Sequence, residues 1–173
     1  MNIDRNHATC FSVHRLKNLS FSLEDKTDTE YIKLFTAIEA AIKNARQVGY
    51  RTFLCGMSRG FELLCAQAVL KIRQEQNDIQ LICVLPYKNH SYDDEWGKIH
   101  QEVRETADGE FIASSNDDAT HECYRLRNLF MVENSSRIIC YWDGKQGNTP
   151  QIIQMAENQG LSIYNLCWLG SFL

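Results

Sequence analysis

The chain has 173 residues, with 18 Lys and Arg against 22 Asp and Glu, and its net charge at pH 7 is -4. Its hydrophobic fraction of 44% is typical of a globular protein, and no apolar run reaches the roughly 20 residues of a membrane-spanning helix. These values predict one domain over residues 1–173, exclude a membrane-embedded protein, and argue against a nucleic-acid-binding protein, which normally presents a clustered basic surface.

The first nine residues contain no apolar segment of the kind found in secretion signals, so we expect a cytoplasmic protein. The seven cysteines form no C-x-x-C pair, and most of them lie in or beside apolar runs. This usage is typical of reduced, buried cysteines rather than of a disulfide or zinc framework. No metal and no required cofactor is predicted.

Segments with strand and helix patterns alternate along the chain. Apolar residues recur at helical spacing from Tyr31 to Ala45, with Thr27 or Asp28 as N-cap and Gly49 at the end. The run 81–85 is apolar at every position, as in a strand that is covered on both faces. The predicted strands are 9–13, 51–55, 81–85, 111–113, 137–142 and 161–166, and the predicted helices are 28–48, 61–72, 93–107, 117–132 and 150–158.

This alternation predicts an α/β fold, namely a Rossmann-like, open and mostly parallel sheet with helices on both faces. Asp117 or Asp118 is the expected N-cap of the fourth helix, and Thr149 that of the fifth, with Pro150 at its first helical position. The tail 167–173 is unusually apolar for a chain end, so we expect it to pack on the domain or on a second copy in a homo-oligomer.

The stretch 53–62, FLCGMSRGFE, combines the end of a strand, a glycine turn and the start of a helix. Such a turn leaves the first N-H groups of the helix unpaired, and together with the helix dipole they favour an anion. Gly56 and Gly60 allow a close backbone approach, and Arg59 adds a positive charge. Residues 56–60 also match the pattern G-x-S-x-G, the nucleophile elbow of serine hydrolases, which would make Ser58 a catalytic serine instead.

A second glycine turn follows the strand 137–142, and polar residues follow the other strands as well. In an open α/β sheet, ligands bind beyond the carboxyl ends of the strands, where the strand order reverses. Neither turn has a standard phosphate fingerprint, but two turns with basic neighbours suit a nucleotide with one or two phosphates. The residues expected to gather there are Ser12, His14, Arg15, Gly56, Met57, Ser58, Arg59, Gly60, Pro86, Tyr87, Trp142, Asp143, Gly144, Gly147, Asn148 and Thr149.

Five motifs occur in order along nearly the whole chain: CFSVHR at 10–15, GMSRGFE at 56–62, LPY at 85–87, Arg127-Asn128 followed by MV at 131–132, and DGKQGNT at 143–149. As a set they resemble the YpsA-like proteins of the SLOG superfamily, which also contains the DNA-processing protein DprA and the cytokinin-activating LOG enzymes. The resemblance implies a Rossmann-like fold with a pocket for a nucleotide or nucleotide-derived ligand. It also adds Arg127 to the candidate ligand-binding residues. The chain departs from the family pattern at Val13, Glu62 and Asn148.

The main interpretation is a sensor or regulatory module that binds a small nucleotide-like ligand such as ADP-ribose, NAD or a nucleoside phosphate. Arg59 and the two helix N-termini would hold phosphates, and Glu62 would orient the turn or a ribose hydroxyl. Tyr87 or Trp142 would flank the base. The alternative is a nucleotide-processing hydrolase that cleaves an N-glycosidic or phosphate bond, with Glu62 or Asp143 as the catalytic carboxylate.

Three further functions are disfavoured. A LOG-type phosphoribohydrolase needs a glutamate where this chain has Ile152, and a serine hydrolase needs a histidine after the last strands, whereas none follows His121. Single-stranded DNA binding of the DprA type needs a basic groove, which the acidic balance argues against. Whether the protein is an enzyme stays open at this point.

Overall fold

The computed structural model describes residues 2–13, 25–142 and 150–169. Six strands form one parallel sheet: β1 (Ala8–Val13), β2 (Thr52–Cys55), β3 (Gln80–Leu85), β4 (Gly109–Ile112), β5 (Arg137–Tyr141) and β6 (Ser162–Asn165). The helices are α1 (Thr29–Gln47), α2 (Phe61–Glu75), α3 (Glu95–Thr106), α4 (His121–Glu133), α5 (Gln151–Asn158) and the short α6 (Leu166–Leu169), and a 3-10 turn (Arg5–His7) precedes β1. The predicted Rossmann-like α/β fold is thereby confirmed.

The strand order across the sheet is β4-β3-β2-β1-β5-β6. The chain therefore runs outward from β1 to β4 and then returns to the other side of β1 for β5 and β6. The order reverses between β1 and β5, which pair in a register that places Val13 opposite Tyr141 at their carboxyl ends. This is the position at which open α/β sheets bind ligands.

The core consists of two layers, one on each face of the sheet, because successive strand residues point to opposite faces. In β3, Leu81, Cys83 and Leu85 belong to the layer formed with α1, α2 and α3. Ile82 and Val84 belong to the layer formed with α4 and α5. A run that is apolar at every position is thus explained by helices that cover both faces.

Two predicted helix starts are wrong by a few residues. Thr120, and not Asp117 or Asp118, is the N-cap of α4, since its extended backbone directly precedes the helix and its Oγ1 accepts a hydrogen bond from the Cys123 N-H at 3.2 Å. Pro150 is the N-cap of α5 rather than its first helical residue, because its ψ of 140° is extended. Thr149 lies outside the described residues.

The chain end contributes to the core through Leu166, which is buried against the helices of the α1 side. Residues 170–173 lie outside the described part of the chain, so the packing of the apolar tail stays a prediction. No helix among the described residues combines the length and the apolar character needed to cross a membrane.

Candidate functional site

The candidate site is built around the loop 56–60, which connects β2 to α2. The ring of Phe61, the first residue of α2, lies 6.2 Å from the ring of Tyr141 at the end of β5. The N-terminus of α2 is therefore close to the point where the strand order reverses. The turn therefore lies at the edge of the sheet where open α/β folds bind ligands.

The N-terminus of α2 has no side-chain cap. Its N-cap is Gly60, whose φ of 82° and ψ of -123° are accessible chiefly to glycine. The first internal bond of the helix joins the Leu64 N-H to the Gly60 carbonyl at 2.9 Å. No described residue accepts a hydrogen bond from the N-H of Phe61, Glu62 or Leu63. These amides and the helix dipole together favour an anion at this end.

Glu62 holds the loop from within α2. Its side chain is almost completely buried, and its Oε2 accepts a hydrogen bond from the Ser58 N-H at 2.9 Å. A Cβ on Gly56 would lie only 2.8 Å from the same oxygen, so this close approach requires a glycine. The carboxylate thus orients the turn.

Arg127 approaches the same loop from α4, on the opposite face of the sheet. Its Nη1 donates to the Gly56 carbonyl and to the Ser58 Oγ, both at 2.9 Å, and its Nη2 donates to Asn128 Oδ1 at 2.9 Å. The residue is 7% exposed, yet no carboxylate of the described residues lies within 4.0 Å of its guanidinium. The buried Glu62 carboxylate balances its charge at longer range, since Glu62 Oε2 and Arg127 Nε lie 2.8 Å and 3.1 Å from the position of a Cβ on Gly56.

The hydroxyl of Ser58 is occupied as an acceptor from Arg127 rather than as a donor to a base. None of the histidines in the described ranges forms a hydrogen bond with it. A serine nucleophile needs a neighbouring base that takes up its proton. The geometry of Ser58 therefore does not match a nucleophile elbow.

Tyr92 holds the outer part of the loop. Its hydroxyl donates to the Met57 carbonyl at 3.0 Å and accepts from the Arg59 N-H at 3.1 Å. Met57 is fully buried and has a φ of 61°, a left-handed conformation that a non-glycine residue keeps only where its surroundings fix it. No sequence pattern marks Tyr92, because its partner Met57 lies 35 residues away.

Two buried histidines extend this hydrogen-bond chain. His90 Nε2 lies 3.3 Å from the Tyr92 hydroxyl, and His90 Nδ1 lies 3.1 Å from His100 Nε2. Since the hydroxyl donates to Met57, we assign the protons to His90 Nε2 and His100 Nε2. Burial, with a smaller contribution from nearby cations, lowers the pKa of His90 to about 3 and that of His100 to about 4, so both are neutral.

The sequence model of YpsA, described as the YspA SLOG family, matches residues 9–167. The chain belongs to this family. No curated protein matches the chain. The family match covers β1 to β6 almost completely, together with the loop and the Arg127 segment described above, and membership is consistent with a nucleotide-related function.

In this SLOG protein, Arg59 does not point at the free amides of α2. Its Nη1 lies 2.8 Å from Asp94 Oδ2, and its guanidinium carbon lies 4.4 Å from the centre of the Tyr92 ring. Asp94 is the N-cap of α3. The guanidinium predicted to hold phosphate is thus placed beside α3.

The two predicted base-stacking residues of the SLOG protein differ in environment. Tyr87 is half-buried after the buried Pro86, and its ring makes edge contacts with His90 at 5.4 Å and with Tyr124 at 6.4 Å. Trp142 packs in the core layer of α4 and α5 and is only 9% exposed. Tyr87 is therefore the more accessible of the two.

The remaining predicted site residues of the SLOG protein lie at β1, at β5 and beyond. Ser12 is buried at the carboxyl end of β1. Ile152 is buried in the core layer formed with α4 and α5. The following residues lie outside the described part of the chain: His14, Arg15, Asp143, Gly144, Gly147, Asn148 and Thr149.

Because of the two buried histidines, we expect the stability of the SLOG protein to fall in acid. On unfolding, each imidazole returns to a pKa near 6.5, so below that pH the unfolded chain binds protons that the folded protein does not bind until about pH 4. The free energy of unfolding is therefore expected to fall by up to roughly 2 kcal/mol for each histidine between pH 7 and pH 5. Urea unfolding at several pH values measures this change.

Two variants separate this effect from the titration of carboxylates. His100→Gln cannot take up the proton and should show a flatter pH dependence, whereas His121→Gln, at an exposed position, should behave as wild type. Equal pH dependence in all three proteins would contradict the assignment.

Proposed function

We propose that this SLOG protein binds a nucleotide or nucleotide-derived ligand, as a sensor or regulatory module, with a phosphate at the N-terminus of α2. The observation that carries the proposal is the glycine N-cap, because the amides of residues 61–63 have no acceptor among the described residues. A preformed set of amides at a helix N-terminus binds phosphate without rearrangement.

The surroundings of these amides support the proposal. The preceding loop is fixed from three directions, by Glu62, Arg127 and Tyr92, so the amides do not have to be ordered when a ligand binds. Arg127 also adds a buried positive charge without an ion-pair partner among the described residues. Tyr87 offers a half-buried ring for the base, in preference to the core residue Trp142.

A nucleotide-processing hydrolase is the second candidate, and the buried carboxylate of Glu62 is the observation that favours it. Buried carboxylates beside a ligand can act as acid, base or charge stabiliser. One of its oxygens already accepts the Ser58 N-H, which supports an orienting role instead. The other proposed carboxylate, Asp143, lies outside the described residues.

A thermal-shift panel of AMP, ADP-ribose, NAD and cyclic nucleotides tests the proposal, with adenosine as the control that lacks phosphate. At a concentration 100 times the dissociation constant, a bound nucleotide should raise the melting temperature by roughly 5–10 °C. Adenosine should give little or no shift. Absence of a shift with every nucleotide would contradict both candidate functions, and product analysis of each hit separates binding from turnover.

Glu62→Gln discriminates between the two candidates. Glutamine keeps an acceptor for the Ser58 N-H but removes a negative charge beside the phosphate, so we expect the nucleotide affinity to rise about 2–5-fold. Glu75→Gln removes the same charge at the far, exposed end of α2 and should leave the affinity unchanged. Turnover in the wild type that is lost in Glu62→Gln, with binding retained, would assign the hydrolase.

A further inference from the structure

The side chain of Arg59 is held away from the amides of α2 by two contacts. Its Nη1 pairs with Asp94 Oδ2 at 2.8 Å, and its guanidinium stacks on the Tyr92 ring at 4.4 Å. Both members of the ion pair are about half exposed, with 51% and 43% of their side-chain surface accessible. Exposed ion pairs of this kind are weak, so the guanidinium can be released at little cost.

The backbone of Arg59 is held by a hydrogen bond that is independent of the side-chain contacts. Its N-H donates to the Tyr92 hydroxyl at 3.1 Å, and the next residue, Gly60, is the N-cap of α2. The long side chain is therefore attached to an anchored backbone position that only one residue, Gly60, separates from the free amides. A second phosphate, attached to the one at those amides, would be a stronger partner than Asp94, because it can form a bidentate contact with the guanidinium.

We propose that Arg59 is a releasable ligand for a second phosphate, and that Asp94 competes with that phosphate for its guanidinium. This inference rests on the nucleotide binding proposed above and adds a preference to it. A nucleoside diphosphate, or a ligand with a pyrophosphate such as ADP-ribose, draws Arg59 from Asp94. A monophosphate is held by the amides of α2 and leaves the ion pair in place.

The chemistry of Asp94 provides a clean test. Its Oδ1 caps α3 by accepting the Trp96 N-H at 3.0 Å, and its Oδ2 pairs with Arg59. Asparagine caps helices as well as aspartate does, so Asp94→Asn keeps the cap and removes only the charge that holds Arg59. Asp93→Asn, at the preceding exposed position without an ion pair among the described residues, is the matched control.

Calorimetric titration with AMP and with ADP measures the effect. Asp94→Asn should bind ADP about 2–5-fold more tightly than wild type and bind AMP with unchanged affinity. Asp93→Asn should match wild type for both nucleotides. In the double variant Arg59→Gln with Asp94→Asn, the gain for ADP should disappear.

Different binding results would contradict this inference and the proposed function. Equal ADP affinities of Asp94→Asn and Asp93→Asn, or a gain that persists with Arg59→Gln, would overturn the competition between Asp94 and phosphate while nucleotide binding stands. Absence of binding of both AMP and ADP to the wild type would overturn this inference, whereas the proposed function is contradicted only if every nucleotide of the thermal-shift panel also gives no shift.

Discussion

Replacing Arg127 with alanine is expected to lower the free energy of unfolding by about 2–4 kcal/mol, measured by urea denaturation at pH 7. The guanidinium is 7% exposed and donates to the Gly56 carbonyl and to the Ser58 Oγ. Its removal leaves a buried carbonyl without a donor and releases the loop that orients the amides of α2. Nucleotide binding should be lost together with the stability.

Arg125 provides the matched control for this variant. It lies on the same helix and forms two hydrogen bonds with Glu122, but the pair is largely exposed. Arg125→Ala should therefore cost less than about 0.5 kcal/mol and leave nucleotide binding unchanged. Arg127→Lys should fall between the two variants, because lysine keeps the charge but not the guanidinium fork. Similar stabilities of Arg127→Ala and Arg125→Ala would show that the buried contacts do not hold the loop.

The second large effect is expected for Gly56→Ala, with a loss of about 1–3 kcal/mol in the free energy of unfolding. The new Cβ would lie 2.8 Å from Glu62 Oε2, 3.0 Å from Met131 Cε and 3.1 Å from Arg127 Nε. The Glu62 and Arg127 side chains cannot move aside freely, because both hold the loop through hydrogen bonds. The substitution should therefore weaken nucleotide binding as well as stability.

Gly160→Ala is the matched control, because it should lower the stability of the protein without changing the loop 56–60. Gly160 has a φ of +69°, and a Cβ there would meet no atom within 4 Å, so its cost of about 1–2 kcal/mol comes from the backbone conformation alone. It lies after α5, away from the loop 56–60. Chemical denaturation measures the stability of both variants, and thermal shifts measure their nucleotide binding. If the two variants have equal stability and equal nucleotide shifts, Gly56 has no specific role in binding.

The helix starts show which boundaries the local sequence predicts correctly and which it does not. Of the two predicted candidates, Asp28 is the N-cap of α1, and Thr27 lies one residue before it. Before α4, the predicted caps Asp117 and Asp118 are followed closely by Thr120, a third residue of a capping type, and the apolar pattern after them is blurred by charges. Which of them caps the helix depends on where the backbone stops being extended, and that is decided by the packing of α4 on the sheet.

The candidate site also combines residues that the local sequence predicts with residues that only the tertiary structure brings together. The turn 56–62 could be predicted because the glycines, the strand end and the helix start are adjacent in the chain. The contacts of Arg127 with Gly56 and Ser58 span 71 and 69 residues, and the resemblance to a family was the only sequence signal for Arg127. Tyr92 had no such signal and was missed.

The sequence by itself determined the alternation of strands and helices, the parallel sheet and the position of the glycine turn at its edge, because these follow from local periodicity and local turn chemistry. Only the tertiary structure decided which side chains hold that turn, that Arg59 pairs with Asp94, and that Trp142 belongs to the core. Such contacts join residues from different elements, and the directions of side chains depend on packing that no local pattern encodes.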